Sequence, residues 1–374
     1  MRINYLLIVV VVLLGCILFT VSSLDAENPK LQIIKGFIKK CFTTDEPIGP
    51  YICLTASPSY IYIGDITHCE INIFSKNGQK VKTFGRRGEG PKEFTSIDNM
   101  FYSENMLYVS SVKKLSIFKS NGEFVKEIRP GARQGAYRAY WPAGQDYIVY
   151  SFRNTPNPND TSYYYVYRLV DPKLERKYDF FQMEFEGYRK KSNRDEAPWS
   201  VYLDCQKAIV SKDRFYIGNT KWGFYIAVFD LSGKKLYEIK KNNPPVKVTS
   251  QMKDAMISQF KGTVGDELYN NFIKKRGFKF SETIPSYLNF FVENDKIYVF
   301  EYPDFSNNFM ANILLLDSKG NLLKKITKQL IIYSIIQDDR VVSFNEGKLY
   351  FLSLQDDSIS VAFIDLAQAF KDAK

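Results

Sequence analysis

The sequence predicts an all-β fold: a six-bladed β-propeller closed by an N-terminal strand, with a small helical insert in blade five. Three observations predict it. Aromatic residues make up 16% of the 374 residues, with 26 Tyr and 29 Phe, and flat rings pack well on pleated surfaces. One hairpin-like segment recurs four times without gaps. A shorter apolar-Tyr-apolar signature recurs ahead of the hairpins in fixed order, as a repeat architecture requires.

The hairpin segments are Ile71–Phe84 (INIFSKNGQKVKTF), Leu115–Ile128 (LSIFKSNGEFVKEI), Ile226–Ile239 (IAVFDLSGKKLYEI) and Ile313–Ile326 (ILLLDSKGNLLKKI). Each reads as two strands around a tight turn. Its glycine (Gly78, Gly122, Gly233, Gly320) supplies the positive φ that the turn needs. The Tyr signatures are Ile61-Tyr62-Ile63, Leu107-Tyr108-Val109, Phe215-Tyr216-Ile217, Ile297-Tyr298-Val299 and Leu349-Tyr350-Phe351, with a degenerate copy at Tyr147-Ile148-Val149. Gly78 and Gly122 are 44 residues apart, the length of one four-stranded blade.

Counting from these marks gives blades near 50–90, 95–130, 137–181, 200–241, 285–328 and 333–367. The third has no turn glycine, and Tyr165–Asp171 supplies its hairpin's first strand. The last lacks a fourth strand of its own, whereas Leu31–Lys39 reads as a strand without a blade. Joining the two closes the ring over 31–370 and removes an open sheet edge. The insert, about 249–276, changes period: Met252, Ala255, Met256 and Phe260, then Leu268, Phe272 and Ile273, fall at helical spacing. Thr249 or Ser250 can cap the first helix, and its apolar stripe reads as packing against a blade.

Residues 1–24 stand apart. Met1–Asn4 is short and basic, and Tyr5–Leu24 is an uncharged, mostly apolar run, a secretory signal or membrane anchor. Leu13-Leu14-Gly15-Cys16 resembles a lipobox with Cys16 as the lipidated residue, although Ile17-Leu18-Phe19 stays apolar afterwards. A transmembrane anchor with Arg2 inside fits the same run. Either way the remainder of the chain is expected outside the cytoplasm, at a bacterial envelope or periplasm. The formal charge of +10 is spread as scattered Lys. That is the pattern of a solvated surface rather than a nucleic-acid face. Cys41, Cys53, Cys69 and Cys205 form no CxxC and have no neighbouring His, which argues against zinc. An exported chain permits disulfides among them, but the pairing is not legible.

The stretch Gly85–Phe94 (GRRGEGPKEF) has the glycines of a phosphate loop. Gly85-x4-Gly90 matches the first Walker spacing, but Pro91 stands where Lys is required and a strand follows instead of a helix. It reads better as the crossing from the outermost strand of blade one to the innermost strand of blade two, with Phe94 packed between blades.

With the following blade, Phe84–Phe94, the strand through Tyr108 and Ile117–Ile128, this connector resembles the NHL repeat and, more closely, the exported six-bladed β-propeller proteins of gut-dwelling bacteria. The likeness runs along nearly the whole mature chain. It departs where NHL repeats carry Asp after the Tyr strand: Asp65 is present, but Ser111 and Asn219 occupy equivalent places. The resemblance implies fold and an exported location rather than a chemistry.

No catalytic constellation is legible. His68 is the only histidine and lies in a polar turn, and no serine sits in a nucleophile elbow. Six-bladed lactonase propellers hold a divalent metal such as calcium in the channel through Glu, Asn and Asp. Asp65, Asn219 and Glu301 follow Tyr strands and are the positions available for that alternative, a metal-dependent lactonase-like hydrolase. Turn positions favour these residue types in any case. The reading preferred here needs no cofactor: an envelope-anchored, non-catalytic binding or scaffold propeller that recognises a protein, peptide or glycan. It touches the membrane through its N-terminal anchor only. Its candidate anchors are Arg86 and Arg87 in the connector, Arg138 and Trp141 entering blade three, Trp199 entering blade four and Trp222 in its loop, since Arg and aromatics carry such surfaces. Blade-to-blade packing competes with this role for the Trp residues, as solvated loop charge does for Arg86 and Arg87.

Overall fold

The structure, a computed structural model, describes residues 38–49, 51–111, 114–130, 139–154, 162–186, 199–201, 205–242, 245–264, 270, 277–304, 307, 309–330, 336, 340–355 and 358–373. It is an all-β, six-bladed propeller. Blade one is β2 (Ile52–Ala56), β3 (Tyr60–Asp65), β4 (Glu70–Ser75) and β5 (Lys80–Phe84). Blade two is β6 (Asn99–Ser103), β7 (Met106–Ser111), β8 (Lys114–Lys119) and β9 (Phe124–Ile128). Blade three is β10 (Ala139–Ala143), β11 (Asp146–Asn154), β12 (Ser162–Val170) and β13 (Arg176–Glu186). After the short β14 (Trp199–Val201), blade four is β15 (Gln206–Ser211), β16 (Arg214–Asn219), β17 (Phe224–Asp230) and β18 (Lys235–Lys241).

The insert follows, with β19 (Val246–Lys247), α1 (Ser250–Val264), β20 (Phe278–Phe280) and β21 (Thr283–Ile284). Blade five is β22 (Asn289–Glu293), β23 (Lys296–Phe300), β24 (Met310–Asp317) and β25 (Leu322–Gln329). Blade six is β26 (Val342–Asn345), β27 (Lys348–Gln355) and β28 (Ser358–Asp365), and α2 (Leu366–Asp372) ends the chain.

The fourth strand of blade six is β1 (Ile38–Thr44), paired antiparallel to β28 from Ile38↔Ile364 to Thr44↔Ile359. The ring therefore closes as expected, but later in the chain than the expected Leu31–Lys39. Residues 31–37 lie outside the described part. Phe42 explains the register: its ring packs 5.3 Å from that of Phe74. A side chain on Gly78 would come within 2.5 Å of its Cβ.

The core is a circuit of clusters, each set between neighbouring blades. Period-two alternation produces it, because successive strand residues point to opposite faces. On β3, Ile61 and Ile63 join the cluster shared with blades five and six, while Tyr62 joins the cluster shared with blade two. On β16, Phe215 and Ile217 face blade three and Tyr216 faces blade five. The recurring Tyr is thus an inter-blade residue, buried in each copy. The Tyr62 hydroxyl donates to the Ser120 carbonyl of blade two at 2.9 Å.

In the four hairpins the glycine alone takes positive φ, between 77° and 88°. Each is followed by a one-residue register shift in the pairing of the two strands, the signature of a bulged turn. Blade three makes the same turn with Leu174 at φ 63°; its N–H donates to Asp171 O as Gly233 does to Asp230 O.

Of the two expected helices, α1 is capped by Thr249, whose Oγ1 accepts from Met252 N at 3.2 Å. Its Ala255 and Met256 pack with Phe278, Phe280, Tyr302 and Phe309, the last two from blade five. The second helix falls almost entirely outside the described residues. Cys41, Cys53, Cys69 and Cys205 are separate thiols. No helix among the described residues is long and apolar enough to cross a membrane.

Candidate functional site: the connector end of the ring

Strand direction divides the ring into two ends. Within every blade the first and second strands are joined by a short turn at one end, and in blades one to five so are the third and fourth. The second-to-third turns and the blade-to-blade connections all fall at the other. We call these the turn end and the connector end. At the turn end the links are short, such as 104–105, 144–145, 212–213 and 318–321. At the connector end they include 85–98, 129–138, 187–205, 242–288 and 330–341. Long connections on a rigid scaffold are where binding residues concentrate.

The connector end collects Asp65, Arg86, Arg87, Trp199, Asn219, Trp222 and Glu301 from three blades and two of the connections between blades. Trp141 lies on the innermost strand β10. Arg138 falls outside the described residues, as does Cys16.

The connector 85–98 is a built structure rather than a slack link. Phe94 N donates to Arg86 O at 2.8 Å and Gly88 N to Phe94 O at 3.1 Å. The Glu93 carboxylate turns inward, accepting from Gly90 N at 2.8 Å and Arg86 Nε at 2.7 Å. The Gly90 N–H and then the Arg86 guanidinium hold its carboxyl below the usual carboxylate range. A side chain on Gly88 would come within 2.1 Å of Glu93 Oε2, so a larger residue there would displace the Glu93 carboxylate. Lys114, buried, ties the loop to blade two through Gly90 O at 2.9 Å and Glu127 at 2.7 Å. Phe94 is fully buried, 6.2 Å from Phe118 of blade two. Arg86 remains 79% exposed despite its pairing with Glu93. Arg87 donates to Thr67 O at 2.8 Å, joining the connector to the second-to-third turn of blade one.

That turn holds the chain's one histidine. His68 Nδ1 lies 2.6 Å from Asp65 Oδ2. The Asp65 carboxylate, 2% exposed, also accepts from His68 N at 2.9 Å and Gly49 N at 2.7 Å. The hydrogen bond to Asp65 raises the His68 pKa from its usual value. Asn219 is buried, its Oδ1 accepting from Lys221 N at 2.9 Å, and Glu301 accepts from Asn312 Nδ2 at 2.6 Å. The structure therefore places Asp65, Asn219 and Glu301 on blades one, four and five, each with local partners. Among the described residues no group of three or more His, Cys, Asp or Glu side chains is placed to share a metal ion.

Trp222 sits in a single 3-10 turn, 47% exposed, edge-on to Tyr225 at 5.0 Å and Phe181 at 6.2 Å. Trp199 begins β14, which pairs in parallel with β20, so the connections on either side of blade four meet there.

On the axis is a cavity of about 530 Å³ walled by the innermost strands of all six blades. Its rings include Phe101, Trp141, Phe291 and Phe344, and Lys207 places its Nζ 3.8 Å over the Phe291 ring. Volume and mixed aromatic and polar walls fall in the range of ligand pockets. Of the residues singled out from sequence only Trp141 lines it, although it also packs edge-on to Phe215 at 5.3 Å. The signal available for the rest lay in the aromatic residues of β6, β10, β22 and β26, the strands ahead of four of the Tyr strands.

Comparison with known proteins agrees with the fold. A family model described as a 6-bladed beta-propeller, DUF5128, matches residues 43–197. No curated protein matches the chain. Among solved structures, a member of the DUF4221 family from Bacteroides vulgatus is similar at 10% identity and a TM-score of 0.50, covering 88% of this chain and 95% of that one. A protein described as exported, from Bacteroides fragilis, aligns at 10% identity and a TM-score of 0.48, covering 88% and 94%. The Pan2 WD40 domain of Neurospora crassa aligns at 8% identity and a TM-score of 0.40, covering 88% and 95%. Residues 43–197 are thus similar to the DUF5128 family of six-bladed propellers, as the blade count of the structure requires.

Proposed function

We propose that the chain is an exported propeller, held at the cell envelope by its N-terminal segment, that binds a protein, peptide or glycan at its connector end. It performs no chemistry of its own in this reading. The observation that carries the proposal is convergence. Residues far apart in sequence, Arg86, Arg87 and Trp222, reach one end of the ring, the end with the long connections. Exposed Arg and Trp on a rigid frame are the side chains from which binding hot spots are made. The apolar run Tyr5–Leu24 and the lipobox-like Cys16 support export and anchoring.

The test is retention of components of envelope extracts by the immobilised full chain, compared with Trp222→Ala and the Arg86→Ala/Arg87→Ala double variant. Loss of a retained component in either variant, with folding intact, supports the reading. Equal retention by all three contradicts it. Chelator-sensitive turnover of a lactone would replace it with the hydrolase alternative.

A further inference from the structure

We infer that the turn end of the ring faces the bilayer and that the connector end points away from it. The inference rests on the anchoring reading above and adds an orientation and a lipid-facing surface to it.

The direction of β1 carries the argument. Ile38 pairs with Ile364 and Thr44 with Ile359. The third strand β28 runs from the connector end, where β27 leads into it, to the turn end, where α2 begins. Being antiparallel to β28, β1 starts at the turn end. The apolar run Tyr5–Leu24 is thus joined to the ring at its turn end, through residues 25–37 alone. Such a link reaches at most about 45 Å when fully extended. Bringing the connector end to the bilayer would require the link to travel back along the outer wall of a blade.

The surface at that end suits a lipid headgroup layer. Val81, Val125, Leu236 and Leu323 are exposed large apolar residues. They occupy one repeat position, three residues beyond the turn glycine, in four blades. Single exposed apolar residues are ordinary; the same choice at one position around a ring is a pattern. Lys80, Lys82, Lys126, Lys235 and Lys324 adjoin them in sequence. Lys80 pairs with Glu46 and Lys235 with Glu238, and Lys82 and Lys324 bond backbone carbonyls, so their amphipathic stems rather than free charges would meet the headgroup zone.

The experiment uses the full chain in phosphatidylcholine vesicles containing phosphatidylglycerol, with an energy-transfer acceptor on the headgroups. A donor dye is placed at Lys319→Cys in the turn-end hairpin of blade five, or at Asn307→Cys in the connector-end loop of the same blade. Both positions are exposed, and the labelled parent chain gives the background from the native thiols. The expected result is stronger transfer from position 319, corresponding to a label about 15–20 Å nearer the bilayer, the height of a five- or six-residue strand. Equal transfer, or stronger transfer from position 307, overturns the orientation while leaving the anchor in place. A chain that does not float with the vesicles removes the anchor, and the orientation with it.

Discussion

His68 Nδ1 and Asp65 Oδ2 lie 2.6 Å apart, the histidine ring half in solvent and the carboxylate almost wholly enclosed. The carboxylate also holds Gly49 N, so one side chain fixes both the turn and the chain's entry into blade one. Because His68 is the only histidine, its ring protons give a single titration curve by NMR. The pKa is expected above the usual histidine value, and Asp65→Asn should return it toward that value. The sign of the linkage follows. A histidine raised in the folded state stabilises fully below its unfolded pKa, and that contribution is lost as pH rises through the folded pKa. A curve at the ordinary value in the parent chain would contradict the pairing.

Phe94 and the arginines beside it should separate stability from surface charge. Phe94 is fully buried between blades one and two. Phe94→Ala is expected to cost about 3–5 kcal/mol in denaturant unfolding. Arg86→Ala, at an exposed ion pair, should change stability by less than about 1 kcal/mol. Near-equal effects of the two would contradict the packing role.

Lys114 is a buried cation, 3% exposed, bound to Glu127 and to the connector carbonyl of Gly90. Lys114→Met leaves Glu127 with Arg129, which bonds it at 2.8 Å. We expect a loss of about 2–4 kcal/mol, below the full cost of an orphaned buried charge. Faster hydrogen exchange over 85–98 should accompany it. An unchanged connector would show that Phe94 alone anchors the loop.

Lys76 sits at the seam where the ring closes. Its Nζ is enclosed without a hydrogen-bond partner, 4.0 Å over the Tyr350 ring, and its carbonyl accepts the Cys41 thiol of β1 at 2.9 Å. Burial pulls its pKa down to about 8, against opposing attraction from Cys41 and Glu346 and with a small assist from Lys348. The folded state then binds fewer protons than the unfolded state between about pH 8 and the usual lysine value, so this group's contribution to stability rises with pH across that window. The stability gap between Lys76→Met and the parent should narrow from pH 7 to pH 10. A constant gap would contradict a buried amine.

Much of the fold was legible because the blade is a repeat with a physical reason at each mark. Tyr fills the gap between blades, glycine takes the left-handed turn position, and alternation sends neighbouring residues to opposite faces. Where a mark was replaced, legibility fell. Blade three turns on Leu174, which takes the glycine conformation and buries its side chain, so nothing in composition announced it. The continuation of β1 to Thr44 was missed because its register is set by contact with Phe74 and Gly78, residues of another blade.

The site was less legible. That Arg86, Arg87 and Trp222 share one end depends on strand direction, which no single motif encodes. The polar turn holding an exposed His68 was legible, but the enclosure of the Asp65 carboxylate, which accepts from Gly49 N, was not. Lys114 on a strand looks like any solvent-facing lysine until its neighbours are known.

The proposed function turns on which end of the ring binds. Its most direct test measures the affinity of a ligand recovered from envelope extracts for three chains: the parent, Trp222→Ala at the connector end, and Lys319→Ala at the turn end. Binding at the connector end entails a loss of tenfold or more for Trp222→Ala, corresponding to about 1.4 kcal/mol, and parent-like affinity for Lys319→Ala. The reverse order, with both variants folded, would contradict it.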